Sequence, residues 1–185
     1  MGGTLSAAGK PPAGERVATV FGSARVRPGE PEYEEARLLG RLLAQAGWAV
    51  CTGGYDGAMA AVSRGAGEAG GRVIGVTVAA WKARIAPNAW VSEERAAEDL
   101  LARVGILLEG DAWLAVAGGV GTLSEVALAW NLLQTRDVSP RPLILVGPRW
   151  RRLLPELRKE LVIGDHDLEL VTLAEDAEEA VRLLG

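Results

Sequence analysis

The segment Ala117-Gly118-Gly119-Val120-Gly121-Thr122-Leu123-Ser124-Glu125 places glycines, a hydroxyl and a carboxylate between two differently patterned apolar stretches. Residues 113–116 before it are continuously apolar, as in a strand, and the residues after it are apolar at helical spacing. The pattern therefore predicts strand, glycine turn and helix. The unpaired N–H groups of a new helix carry partial positive charge, and glycine lets a ligand approach the backbone closely, so a phosphate fits here. The same residues also match simple turn chemistry, because Thr122-x-x-Glu125 is a capping box with Thr122 as N-cap.

A second strand–glycine turn–helix follows residues 48–52 at Gly53-Gly54-Tyr55-Asp56-Gly57-Ala58-Met59. A third loop, Gly22-Ser23-Ala24-Arg25, ends the β-branched run of residues 16–21 and offers a close backbone, a hydroxyl and a charge. Two glycine-rich turns in one chain point to a shared ligand more strongly than either does alone.

These loops need a scaffold that brings strand ends together. Continuous apolar runs at residues 16–21, 48–52, 73–78, 112–116 and 143–146 predict strands covered on both faces, which is the mark of a parallel sheet. Helical spacing predicts helices at residues 32–46, from 58 to about 70, at 93–109 and from 148 to about 161. Residues 168–173 read as a last short strand and 175–184 as an amphipathic helix. Strands alternating with helices give an α/β fold, an open parallel sheet with right-handed crossovers and helices on both faces. The irregular residues 79–92, with Trp81, Lys82, Arg84, Asn88 and Trp90, read as a loop or lid at the carboxyl edge of the sheet. Residues 123–134 are apolar nearly all round, so that helix is expected to be buried on two sides, by its own sheet and by a second subunit, making a homodimer with Trp130 near the contact.

Composition bounds the partners. The 185 residues carry a formal net charge of -4 and 49% hydrophobic content, ordinary for one globular domain and without the basic excess expected for a nucleic-acid polymer or an anionic membrane. Residues 1–15 are small and polar and read as a flexible tail, leaving residues 16–185 as a single domain. No apolar run reaches the roughly 18 residues that span a bilayer, and a cytoplasmic location is expected. The single cysteine, Cys51, lies in an apolar strand and is expected to be buried and unreactive. His166 lies in a polar Gly-Asp-His-Asp loop and is given no catalytic role.

Val20-Phe-Gly-Ser-Ala24, Gly53-Gly-Tyr-Asp-Gly-Ala-Met59 with Ser63-Arg-Gly-Ala66, and Gly118-Gly-Val-Gly-Thr-Leu-Ser-Glu125 resemble the motifs of the LOG (Lonely Guy) family in order and approximate spacing. The resemblance covers roughly residues 16 to 150. It implies a Rossmann-like homodimer that cleaves the N-glycosidic bond of a nucleoside 5′-monophosphate, AMP or an N6-modified AMP, releasing base and ribose 5-phosphate. It further implies that Gly118, Gly119, Gly121 and Thr122, with Gly22, Ser23, Gly53, Gly54 and Met59, bind the nucleotide. Glu125 would be the catalytic carboxylate, stabilising an oxocarbenium-like ribose and orienting water, and Arg103 the functional arginine. No metal and no cofactor are needed for that reaction.

The sequence departs from the family at Ala117, where proline precedes the glycine pair, at Tyr55, where a third glycine is common, and at Ala60. The Arg-Lys-x-x-Met segment of plant-type members is absent, which favours an alternative: a carrier of a nucleotide or of a pterin-type cofactor such as the molybdenum cofactor, without turnover. The lysine decarboxylase label once attached to the family is not supported, because only Lys82 of the three lysines could reach a pocket as a Schiff base. A Walker-type ATPase is disfavoured, since neither glycine turn ends in Gly-Lys-Ser/Thr.

Overall fold

The computed structural model describes residues 14–185. The expected tail falls outside the described residues except for its end, where Glu15 is paired with Arg72. Seven strands form one parallel sheet: β1 (Val17–Phe21), β2 (Ala49–Thr52), β3 (Val73–Val78), β4 (Glu93–Ala97), β5 (Ala112–Ala115), β6 (Leu143–Val146) and β7 (Thr172–Ala174). Their spatial order is β4-β3-β2-β1-β5-β6-β7. The winding reverses between β1 and β5, which are paired from Ala18 opposite Ala112 to Phe21 opposite Ala115. In open parallel sheets, the carboxyl ends of the strands at such a switch point diverge and leave a crevice.

Because successive strand residues face opposite sides, each strand feeds two cores. Ala18, Val20, Val50, Leu114 and Ile144 pack against α1 (Pro31–Gln45), α2 (Ala58–Glu68) and α7 (Ala177–Arg182). Phe21, Cys51, Ile74, Trp113 and Leu145 pack on the other face against α3 (Leu100–Leu107), α4 (Val120–Thr135) and α5 (Pro148–Glu160). This is the Rossmann-like α/β architecture expected from the alternating pattern.

Three local expectations are corrected. Residues 93–97, expected as the first turns of a helix, form the edge strand β4, paired with β3 from Ile74–Glu93 to Val78–Ala97. Its charged residues suit an edge, where one backbone side and much of the surface meet water. The helix starts only after Asp99, whose carboxylate accepts from Ala102 N at 2.8 Å. The capping box Thr122-x-x-Glu125 does not form: α4 begins three residues earlier, with Gly119 rather than Thr122 as N-cap and no side-chain cap, so Thr122 and Glu125 lie inside the helix and are buried. Residues 168–173 are not a strand throughout; Asp165–Leu168 form the one-turn helix α6, which includes His166, and the strand is confined to Thr172–Ala174.

The helix containing Trp130 buries Val126, Ala129 and Leu133 against its own sheet and leaves Val120, Leu123 and Leu128 exposed. Trp130 itself is half-buried, and its indole N–H donates to the carbonyl of Asp167 at 2.7 Å. Among the described residues, no helix is long and apolar enough to cross a membrane.

Candidate functional site

Three loops meet at the carboxyl ends of β1, β2 and β5. Ser23 N donates to Ala117 O at 3.1 Å, and Ala58 N donates to Ser23 O at 2.7 Å, so the β1 loop is stitched to both glycine turns. Gly57, at φ 68, closes the second turn where a Cβ would strike the carbonyl of Ser23. Between these loops lies a cavity of about 660 Å³.

The cavity has two kinds of wall. One is backbone: Gly22 and Ser23 on one side, and Gly119, Val120, Gly121 and Thr122 at the start of α4 on the other, with Arg25 beside them. The N–H groups of that first helical turn have no partner within the helix and point toward its N-terminal end. The other wall is apolar and aromatic, from Tyr55, Met59, Trp81, Ile85 and Leu100. Arg103, Glu125 and Asp56 complete the lining.

Arg103 is the one charge in the otherwise apolar helix Leu-Leu-Ala-Arg-Val-Gly-Ile-Leu, and it points inward, with 6% of its surface exposed. Its Nε donates to Val76 O at 2.8 Å and its Nη2 to Gly53 O at 3.1 Å, while Nη1 reaches Glu125 Oε1 at 3.5 Å. The guanidinium also lies 5.7 Å from the centre of the Tyr55 ring. A guanidinium satisfies several acceptors in one plane, which is why an arginine can be buried here. Arg103 is thus ion-paired to Glu125 and shielded from solvent.

Glu125 is pushed up to about 7, chiefly because burial disfavours its charge, with Arg103 pulling in the opposite direction. A carboxyl poised near neutrality on a cavity wall can hold or release a proton at physiological pH.

Not every glycine of the two turns faces the cavity. Gly22, Ser23, Met59, Arg103, Gly119, Gly121, Thr122 and Glu125 line it, whereas Gly53, Gly54 and Gly118 do not. Gly53 is small because Arg103 and the sulfur of Met59 occupy the space of a Cβ, and Gly118 because Thr122 does. Those glycines make room for the protein's own side chains.

Sequence reasoning placed Asn88 only in an irregular loop. In the structure its Nδ2 donates to Gly54 O and Tyr55 O, both at 3.1 Å, and to Ser63 Oγ at 3.4 Å. Its backbone N–H adds a bond to Gly54 O at 2.8 Å. Asn88 is the clasp between the 79–92 loop and the second glycine turn. Tyr55 is likewise fixed: its hydroxyl accepts from Val78 N at 2.8 Å, and its ring lies 5.9 Å from that of Trp81. Cys51 lies behind the site, its thiol pushed up to about 12 by burial, too high for a nucleophile. Among the described residues, no cluster of three or more histidine, cysteine or acidic side chains could hold a metal.

The sequence pattern of the SLOG cluster4 family matches residues 15–139. The chain belongs to the SLOG cluster4 family. Every residue lining the cavity lies within the matched segment of this SLOG cluster4 chain. An uncharacterised protein of Archaeoglobus fulgidus is 33% identical over 122 residues, covering 65% of this chain and 78% of that protein. The molybdenum cofactor binding protein of the phototrophic bacterium Rippkaea orientalis is similar in structure, with a TM-score of 0.74 and 26% identity over 91% of this chain and 94% of the other. The molybdenum cofactor carrier protein of Chlamydomonas reinhardtii has a TM-score of 0.70 and 28% identity, over 91% of this chain and 95% of its own. These likenesses support the superfamily that the glycine motifs implied and do not single out its cytokinin-activating branch.

Proposed function

We propose that this protein binds and carries a phosphate-bearing planar heterocycle, a pterin-type cofactor such as the molybdenum cofactor or a nucleotide, without turning it over. The carrying observation is the state of the buried charges in the cavity wall. Arg103 is engaged by two carbonyls and by Glu125, so it is not available to protonate a leaving base, and an arginine is a poor proton donor in any case. A carrier needs no such donor. It needs a phosphate seat, which the first turn of α4 and the Gly22-Ser23 loop supply, and a surface for the ring. The likeness to two molybdenum cofactor proteins over nine-tenths of the chain supports the same conclusion. In this role the cofactor is cargo.

Glycosidic hydrolysis is a second reading, favoured by one observation: Glu125 lines the cavity with its carboxyl near neutrality. As a carboxylate it would stabilise positive charge developing on ribose and orient water. Thermal shift across AMP, GMP and a phosphorylated pterin, paired with chromatography for released base, separates the two. A rise in stability without product supports the carrier, since a ligand that binds only the native state stabilises it. Adenine formed from AMP above a Glu125→Ala control would overturn the carrier in favour of the hydrolase.

The exposed Val120, Leu123 and Leu128 along α4 also support self-association through that helix. Sedimentation is expected to show a dimer that Leu128→Glu dissociates; a monomeric wild type at high micromolar concentration would exclude it.

A further inference from the structure

We infer that Trp81 is the residue on which the ligand's planar ring stacks, so that the cavity selects a heterocycle over a bare sugar phosphate. The inference rests on the proposal of a phosphate-bearing ligand and adds how its other end is recognised. The cavity is divided by polarity. The same cavity is lined by a phosphate seat, at Gly119 to Thr122, and by the apolar side chains of Tyr55, Trp81, Ile85 and Leu100. A ligand with phosphate at that seat has these apolar side chains available for its other end.

The two aromatic side chains are not equivalent. Tyr55 is held on three sides, by the amide of Val78 at its hydroxyl, by the Arg103 guanidinium over its ring and by Trp81. Trp81 sits on a single turn of 3-10 helix, Ala79–Trp81, at the end of β3, and is only half-buried. Its tilt of 34° to Tyr55 leaves the pair splayed rather than stacked in parallel. Ile85 and Leu100 on the same wall are 43% and 50% exposed. Large apolar side chains left open to water around an anion-binding loop are best covered by the apolar faces of a ring. Tryptophan is the side chain with the largest flat face for that contact, and it stacks on any planar heterocycle.

Isothermal titration of the wild type, Trp81→Ala and Trp81→Phe with AMP, a phosphorylated pterin and ribose 5-phosphate tests this. Trp81→Ala is expected to weaken the ring-bearing ligand that the wild type binds by about tenfold or more, as loss of one stacking face does. Ribose 5-phosphate binding should not change, and Trp81→Phe should recover most of the loss. Equal weakening of both ligand types would mark Trp81 as structural only, and unchanged binding by Trp81→Ala would remove it from the site; either overturns the inference while leaving the carrier function intact. If the wild type binds none of the phosphates, the carrier function fails and the inference with it.

Discussion

The guanidinium of Arg103 and the carboxyl of Glu125 meet at 3.5 Å inside the cavity wall, both on buried residues. One comes from α3, which leads into β5 from the far edge of the sheet, and the other from α4, which leaves β5. Arg103 also holds the carbonyls of Val76 and Gly53, so a single side chain joins β3, the second glycine turn and α4.

Arg103→Met is therefore expected to destabilise the fold by about 3–5 kcal/mol, since it leaves buried acceptors without a donor and a buried carboxyl without its partner. Arg103→Lys should recover little, because an ammonium cannot serve three directions from one plane. Urea denaturation of the two variants measures both; near-wild-type midpoints would show that the pair is incidental.

Glu125 makes stability depend on pH with a definite sign. Its carboxyl is raised from 4.5 to about 7. Between those values the folded chain keeps a proton that the unfolded chain has lost, so stability falls as pH rises through that window. Above it the penalty is constant at about 3 kcal/mol. Glu125→Gln cannot ionise and should match the wild type near pH 4.5 while exceeding it in stability at pH 8. Denaturation midpoints across pH 4.5–8 give the test. A wild-type advantage at pH 8 would mean that attraction to Arg103 outweighs the cost of burial.

The glycines of the first motif should separate into two classes. Gly118→Ala collides with Thr122 and is expected to destabilise the turn. Gly121 has nothing within 4 Å of where a Cβ would stand and lies in the first turn of α4. Gly121→Ala should therefore stabilise the helix by up to about 1 kcal/mol. The same methyl would stand on the cavity wall, so phosphate-bearing ligands should bind it more weakly. Thermal melts with and without ligand distinguish the two effects.

Asn88→Ala removes the amide bonds to Gly54, Tyr55 and Ser63. A loss of about 1–3 kcal/mol is expected, with faster hydrogen exchange in residues 79–92 and in the second glycine turn together. Faster exchange in the loop alone would show that Asn88 does not couple them.

The parts of this fold that were legible in the sequence are those buried on both sides. Residues 73–78 could only be a covered strand because every side chain is apolar or small. Residues 93–97, Glu-Glu-Arg-Ala-Ala, could not be read the same way: each has good helix propensity, and only pairing with β3 makes them a strand. The glycine turns were legible as turns, yet glycine does not say what fills the space it leaves. At Gly53 and Gly118 the occupant is the protein itself. Arg103 carried a faint signal, one charge in an apolar octet. Asn88 carried none, since its nearest partners, the carbonyls of Gly54 and Tyr55, are backbone groups whose positions no side-chain pattern encodes.

The edge strand β4 has a consequence for assembly. Glu93, Glu94 and Arg95 stand along one rim of the sheet, and the opposite rim is β7, three residues long. A second chain that tried to add its own strand would meet charges at one rim and too short a ladder at the other. The sheet is in effect sealed at seven strands, and growth into fibres by strand addition is closed off. Partners are left with the helices and the strand-end loops, where side chains rather than an open backbone ladder decide who is accepted.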